Sequence, residues 1–306
     1  MLKKHKRNMK PEFIEFKTED GLNLPGLFYE SKGSKTAVIF LHGNGSASVF
    51  YNEEKNHPLA LALKKQKISI LYFNNRGAHI IKRLKVIKKN KETPKYFGTA
   101  HEKIKECVYD IDGAVSFLKT RGYKKFYLIG ASTGANKICV YNFYKPKNKI
   151  EKYVLLSGGD DTASYYTHLG KIKFWKLLSK SKTKIKNKKG NEIIPELLPS
   201  FVFSYKGFYD IANPDGDYNT FPFYESLGKN KLSKKPLFRY FKFIKKPSFV
   251  IYGEKDQYLL NDVEEVVETL KAKQPNFDYK IIKGADHGFN GYERELSQAV
   301  VLWLKK

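Results

Sequence analysis

The sequence predicts an α/β protein with a mostly parallel, doubly wound sheet of about eight strands. Three observations lead there. Short apolar runs alternate along the chain with amphipathic helical stretches, the order expected of successive β–α units. Hydrophobic residues make up 41% of the 306, enough for a large core and too many for a disordered chain. The alternation fails only once, over 160–245, and then resumes, so one insertion interrupts one domain spanning 1–306.

The elements follow in order. FIEFKTEDGLNLPGLFYE (13–30) reads as two strands joined by a turn at Asp20-Gly21. AVIFLHG (37–43) is a buried strand running into a glycine-containing loop, and residues 59–66 read as helix. ISILYFNNRG (68–77) is the next strand and its loop. Residues 102–120 carry Ile104, Val108, Ile111, Val115 and Leu118 at spacings of three and four, the signature of a helix buried along one face. Thr99 and Glu102 form a candidate capping box at its start, and Gly122 ends it. KFYLIGA (125–131) is a strand, a helix follows over 134–144, and YVLLSGG (153–159) is a further strand.

The 160–245 segment holds the lysine-rich run KSKTKIKNKKG (180–190), several prolines and many aromatics, and reads as a partly helical cap or lid over one end of the sheet. Its aromatics include Phe174, Trp175, Phe201, Phe203, Tyr205, Phe208, Tyr209, Phe221, Phe223 and Tyr224. They suit either an apolar pocket or the insertion's own core. Beyond it come the strand PSFVIYG (247–253) and the helix NDVEEVVETLKAK (261–273), with Asn261 and Glu264 placed to cap it. The strand FDYKIIKG (277–284) and a closing helix over 292–306 complete the chain.

The formal charge of +26 raises the question of a polyanionic partner. Only six of the 57 basic residues are Arg, and the lysines spread along the whole chain. Base and phosphate recognition favours the planar guanidinium fork, so no specific nucleic-acid partner is expected, only weak non-specific binding to polyanions. Cys107 and Cys139 lie in apolar helical patterns, which suggests free thiols and suits a reducing compartment. The basic N-terminus MLKKHKRNMKPEF is not followed by an apolar stretch, and no apolar run is long enough for a transmembrane segment. A cytoplasmic location is the expectation.

Gly130-Ala131-Ser132-Thr133-Gly134 follows a strand and precedes a helix, the context a G-x-S-x-G nucleophile turn requires. The serine must adopt a strained backbone there, and side chains two positions to either side would strike the neighbouring strand and helix. A serine hydroxyl needs a base. Gly284-Ala285-Asp286-His287-Gly288-Phe289 supplies His287 directly after the last strand, whereas the other six histidines all precede the final two strands. The carboxylate that orients the base is read as Asp256, three residues past Gly253, with Glu254, Asp160 and Asp161 as rivals and Asp286 adjacent to the base. The oxyanion donors are expected to be the backbone N–H of Thr133 and, in the loop His42-Gly43-Asn44-Gly45, that of Asn44. His42 itself reads as a structural hydrogen-bonding residue. No metal or nucleotide signature is present, and no cofactor is expected.

Taken together, FLHGNG, FNNRG, GASTG, YGEKD and GADHGF resemble, in order and spacing, the α/β-hydrolase superfamily over roughly 36–159 and 247–306. The chain is similar to esterase and acyl-peptidase-like serine hydrolases, in particular to a microbial branch with an S-T-G elbow. The resemblance implies hydrolysis of a small acyl substrate, a carboxylic ester or a thioester or peptide bond, through Ser132, His287 and Asp256. A reading of another class is a catalytically silent protein of this fold that binds polyanions.

Overall fold

The computed structural model of the chain describes residues 10–45, 48–89 and 91–306. Most of the basic N-terminal stretch lies outside the described residues. One eight-stranded sheet runs through the molecule. Its strands are β1 (Glu12–Lys17), β2 (Asn23–Tyr29), β3 (Thr36–Leu41), β4 (Ile68–Phe73), β7 (Lys125–Ala131), β8 (Ile150–Leu156), β9 (Ser248–Lys255) and β10 (Asp278–Asp286), in the order β1-β2-β4-β3-β7-β8-β9-β10. β1 pairs antiparallel with β2, and β2 antiparallel with β4. Every pairing from β4 to β10 is parallel. β4 is buried at every residue, as expected of a parallel strand covered on both faces.

Helices α1 (Glu53–Lys64) and α10 (Glu293–Lys305) cover one face, where Leu59, Leu63, Val300 and Trp303 pack on Ile70 and Ile129. On the other face lie α2 (Cys107–Thr120), α3 (Thr133–Tyr144) and α9 (Val263–Lys273), through Ile111, Ala114, Ile138 and Val266. The chain leaves β3 toward α1 on the first face and β7 toward α3 on the second. β3 and β7 are neighbours, with Leu41 opposite Gly130. Their loops therefore diverge at a point where the strand order reverses, and a crevice opens beyond their C-terminal ends.

Between β8 and β9 the chain forms no strand of the main sheet. It folds into α4 (Asp161–Leu169), α5 (Lys171–Lys186), α6 (Tyr205–Ala212), α7 (Phe223–Ser226) and α8 (Arg239–Lys242). Phe174, Phe208, Phe221 and Phe223 are buried in its packing, whereas Trp175 is partly exposed.

Two local expectations are corrected, and one stretch without an expectation proves structured. A second sheet, the hairpin β5 (Lys82–Lys88) and β6 (Lys91–Phe97), occupies a stretch that carried no assignment. The expected capping box at Thr99 and Glu102 does not form. Thr99 Oγ1 accepts from Gly45 N–H at 3.0 Å, Glu102 pairs with Lys137 at 2.5 Å, and α2 begins only at Cys107, after two short 3-10 turns. The cap of α9 is Asp262 rather than Asn261, its carboxylate accepting from Glu264 and Glu265 N–H.

Candidate active site

The site is built from loops at the C-terminal ends of β3, β7, β8, β9 and β10. Ser132 lies between β7 and α3 with φ 54° and ψ −125°, a backbone conformation side chains rarely adopt. The glycines beside it permit the turn. A Cβ on Gly130 would lie 2.2 Å from the Gly134 carbonyl oxygen, and one on Gly134 would lie 2.3 Å from that of Leu41. Neither neighbour can yield, because both are backbone of packed elements. Ser132 N–H donates to the Leu156 carbonyl at 2.8 Å, which ties the turn to β8.

His287 follows β10, and Asp256 follows β9. The imidazole Nδ1 is 2.8 and 2.9 Å from the two Asp256 carboxylate oxygens, and the Asp256 side chain is fully shielded from solvent. Such a carboxylate holds the proton on Nδ1 and leaves Nε2 free to accept one. Asp256 Oδ1 also accepts from Tyr258 N–H at 3.1 Å, and the Tyr258 ring packs edge-on against the imidazole at 4.7 Å. His287 N–H donates to the Gln257 side chain.

The rival carboxylates are engaged elsewhere. Glu254 accepts from Gly284 N–H at 2.7 Å, Asp160 accepts from Ala163 and Tyr224 N–H, and Asp286 holds Asn290. Asp161 does not touch the Nδ1 side of the ring, but it faces the same cavity as His287.

That cavity, about 930 Å³, brings Ser132, Thr133, His287, Gly43 and Asn44 together on its wall. No hydrogen bond joins the Ser132 hydroxyl to His287 among the described residues. The loop after β3 passes so close to the serine that a Cβ on Gly43 would lie 2.9 Å from Ser132 Cβ. Gly45 N–H already donates to the Asn44 side chain and to Thr99, so it is not available to a ligand. Thr133 is the first residue of α3, where a backbone N–H has no intrahelical acceptor. Asn44 N–H has no acceptor among the described residues. Both residues line the cavity that Ser132 also lines.

His42 anchors this loop. Its Nε2 accepts from Asn75 N–H at 3.2 Å, so Nδ1 carries the hydrogen and donates to the Gly43 carbonyl at 2.7 Å. Burial first, and then the nearby Lys137 charge, push its pKa down to about 3, so the ring stays neutral. The signal for Asn75 was present in the segment FNNRG, but that segment carried no assigned role.

The aromatics of the inserted segment divide between the two expectations. Phe201 and Phe203 line the cavity, together with Tyr165 and His168, whereas Phe174, Phe208, Phe221 and Phe223 pack away from it.

The family described as "Protein of unknown function (DUF1749)" matches residues 85–305, which is more than half of the chain. No curated protein matches it. Among solved structures, it is similar to an esterase of Pyrococcus furiosus at 22% identity and a TM-score of 0.57, covering 97% of this chain and 91% of that one. It is also similar to Est1E from Butyrivibrio proteoclasticus, at 12% identity, a TM-score of 0.60 and coverage of 95% and 97%. A third is the alpha/beta hydrolase GrgF from Penicillium sp. sh18, at 14% identity, a TM-score of 0.63 and coverage of 96% and 98%. The parallel sheet, its strand order and these likenesses make the fold that of the α/β hydrolases, and by the match over residues 85–305 the chain belongs to the family described as "Protein of unknown function (DUF1749)".

Proposed function

We propose that this protein is a serine hydrolase that cleaves a carboxylic ester through a covalent acyl-enzyme. The observation that carries the reading is the two-oxygen grip of Asp256 on His287 Nδ1, with Nε2 left bare in the cavity that Ser132 enters from its strained turn. Ser132 Oγ attacks the carbonyl carbon while His287 Nε2 takes its proton. The Asp256 carboxylate stabilises the imidazolium so formed. The N–H groups of Asn44 and Thr133 hold the oxyanion, where a preformed donor is worth about 10²–10³ in rate. His287 then protonates the leaving oxygen, the acyl group stays on Ser132, and water activated by the same imidazole releases the acid. The open Ser132–His287 contact fits a site whose hydrogen bonds tighten when substrate binds.

Residues 160–245 serve as a cap that closes the cavity through Phe201 and Phe203. The esterase of Pyrococcus furiosus among the structural neighbours favours an ester over a peptide bond or thioester. A fluorophosphonate probe tests the proposal. Folded protein is expected to take up one adduct, mapping to Ser132, and Ser132→Ala to take up none. A folded wild-type chain that stays unlabelled would overturn the reading.

A further inference from the structure

Thr99 and Glu102 have the spacing of a helix cap, yet neither side chain caps a helix. Both are joined instead, directly or through neighbours, to the loop that carries Asn44. The Thr99 hydroxyl lies where three loops meet. It accepts from Gly45 N–H at 3.0 Å, in the loop after β3. Its own hydrogen reaches the carbonyl of Gly45 or that of Gly77, each at 3.1 Å, the latter in the loop after β4. Thr99 itself follows β6.

The backbone that carries this hydroxyl is fixed. Gly98, Thr99 and Ala100 N–H donate in succession to the carbonyls of Arg76, His79 and Ile80, at 3.0, 2.8 and 3.0 Å. A Cβ on Gly98 would lie 2.6 Å from the Ile80 carbonyl oxygen, so the two segments are pressed together. The 75–77 turn is fixed as well. Asn75 Oδ1 accepts from Gly77 N–H at 2.9 Å and from Lys137 Nζ at 3.2 Å, and Lys137 pairs with the buried Glu102 at 2.5 Å. The Glu102 carboxylate lies against Gly77, where a Cβ would come within 2.3 Å of it. Asn75 N–H donates to His42, and His42 Nδ1–H donates to the Gly43 carbonyl. Gly43 and Gly45, the two neighbours of Asn44, are therefore held from one frame, the first by His42 and the second by Thr99.

We infer that Thr99 is a positioning residue for the oxyanion: its hydroxyl holds Gly45, and with it the Asn44 amide, in place beside Ser132. The inference rests on the hydrolase reading, which makes Asn44 N–H a donor. A donor of this kind works because it is aimed before the charge develops and does not reorganise as it forms. Without the Thr99 hydroxyl, Gly45 N–H keeps only the Asn44 side chain as acceptor, and the loop loses one of its two attachments. Thr99 also borders the cavity, so direct contact with substrate is the competing role, and it would appear in KM.

The experiment compares Thr99→Val, which keeps the branched shape and removes the hydroxyl, with Thr99→Ser, which keeps the hydroxyl. Both are assayed beside the wild-type full chain on a short p-nitrophenyl ester, at a temperature where circular dichroism shows each one folded. A phenylboronic acid, which forms a tetrahedral adduct on a serine oxygen, reports on the oxyanion site without turnover. In Thr99→Val, kcat is expected to fall by about 10–100-fold with KM unchanged, because a whole donor is worth about 10²–10³ and a displaced one keeps part of that. The inhibition constant of the boronic acid is expected to rise by the same factor, and Thr99→Ser to restore both. A fall in kcat of less than about tenfold overturns the inference. So does a rise in KM with kcat kept, or a Thr99→Ser chain as slow as Thr99→Val. Any of these beside a labelled Ser132 defeats the role of Thr99 alone. A folded wild-type chain that neither labels with a fluorophosphonate nor turns over ester defeats the hydrolase, and this role with it.

Discussion

At the scale of single residues, the site is a set of backbone demands with side chains attached. Gly130 and Gly134 are required because a Cβ at either would enter a carbonyl oxygen of packed backbone. A demand of that kind leaves a trace in sequence, which is why the Ser132 turn was legible. His287 was legible because the other histidines fall before the last two strands. Asp256 was harder, since Glu254 lies only two residues earlier. What separates them is where each points. The Glu254 carboxylate turns back to hold Gly284 N–H, and only Asp256 reaches His287. The strand pattern predicts that both sit near the end of β9, but the direction of a loop side chain depends on contacts across the sheet. Replacing Asp256 by Asn tests the role. The amide keeps the volume but can present its NH₂ group to Nδ1, favouring the wrong tautomer. We expect kcat on a short ester to drop by roughly 10⁴-fold with little loss of stability. A drop of less than tenfold in steady-state assays would remove Asp256 from the mechanism.

At the scale of elements, the surprises share one cause, which is tertiary contacts overriding local signals. β6 is exposed at every residue but Phe97, so its sequence KETPKYF gives no sign of a buried face. The hairpin is held instead by Val86 in the core and by Ile87 N–H donating to the Gly21 carbonyl at 2.8 Å. Thr99 and Glu102 have the spacing of a cap but are drawn to Gly45 and Lys137. Arg76, in the loop after β4, is the strongest case. Its side chain is 1% exposed, and its guanidinium bonds Asp110 at 2.7 Å, Asp20 at 2.9 Å and Glu106 at 3.1 Å, tying the loop to α2 and to the β1–β2 turn. Removing one side of a buried pair leaves the other charge uncompensated, at a cost of about 3–5 kcal/mol. Arg76→Met is expected to lose about that much in urea denaturation, and Arg76→Met with Asp110→Leu to recover most of it. A double variant no more stable than the single would contradict the account.

α6 adds a pH dependence. Asp210 Oδ2 accepts from Ile104 N–H at 2.7 Å, yet burial raises its pKa from 3.8 to about 7. A carboxyl whose folded pKa lies above its unfolded value binds more protons in the native state, so its contribution to stability is present below pH 3.8 and is lost as pH rises through 7. Asp210→Asn keeps the acceptor and removes the titration. The stability of the variant relative to wild type should therefore rise between pH 4 and 7, as read from urea midpoints at each pH. A flat difference would show that Asp210 ionises no later in the folded chain than in the unfolded one.

At the scale of the whole molecule, the charge excess competes with its own ion pairs. There are 57 basic and 31 acidic residues, an excess of 26. Surface pairs such as Lys85–Glu92 and Lys271–Glu268 are well exposed and are worth about 0–1 kcal/mol each. They are too few and too weak to offset lysines that repel one another over the whole surface. Salt acts on both terms. Raising ionic strength from about 0.01 to 0.15 M shortens the screening length from roughly 30 to 8 Å, which removes long-range repulsion while contacts at about 3 Å lose less. The thermal midpoint is therefore expected to rise with sodium chloride over that range, the reverse of what a surface held by salt bridges would do. The same excess predicts retention on a heparin column at low salt and release before physiological ionic strength, since spread lysines supply non-specific attraction without the fork geometry of arginine. A midpoint that falls with salt would mean the exposed pairs outweigh the repulsion. Retention beyond physiological salt would mean the lysines converge on a true polyanion surface, and the silent-binder reading would then displace the hydrolase unless Ser132 also labels.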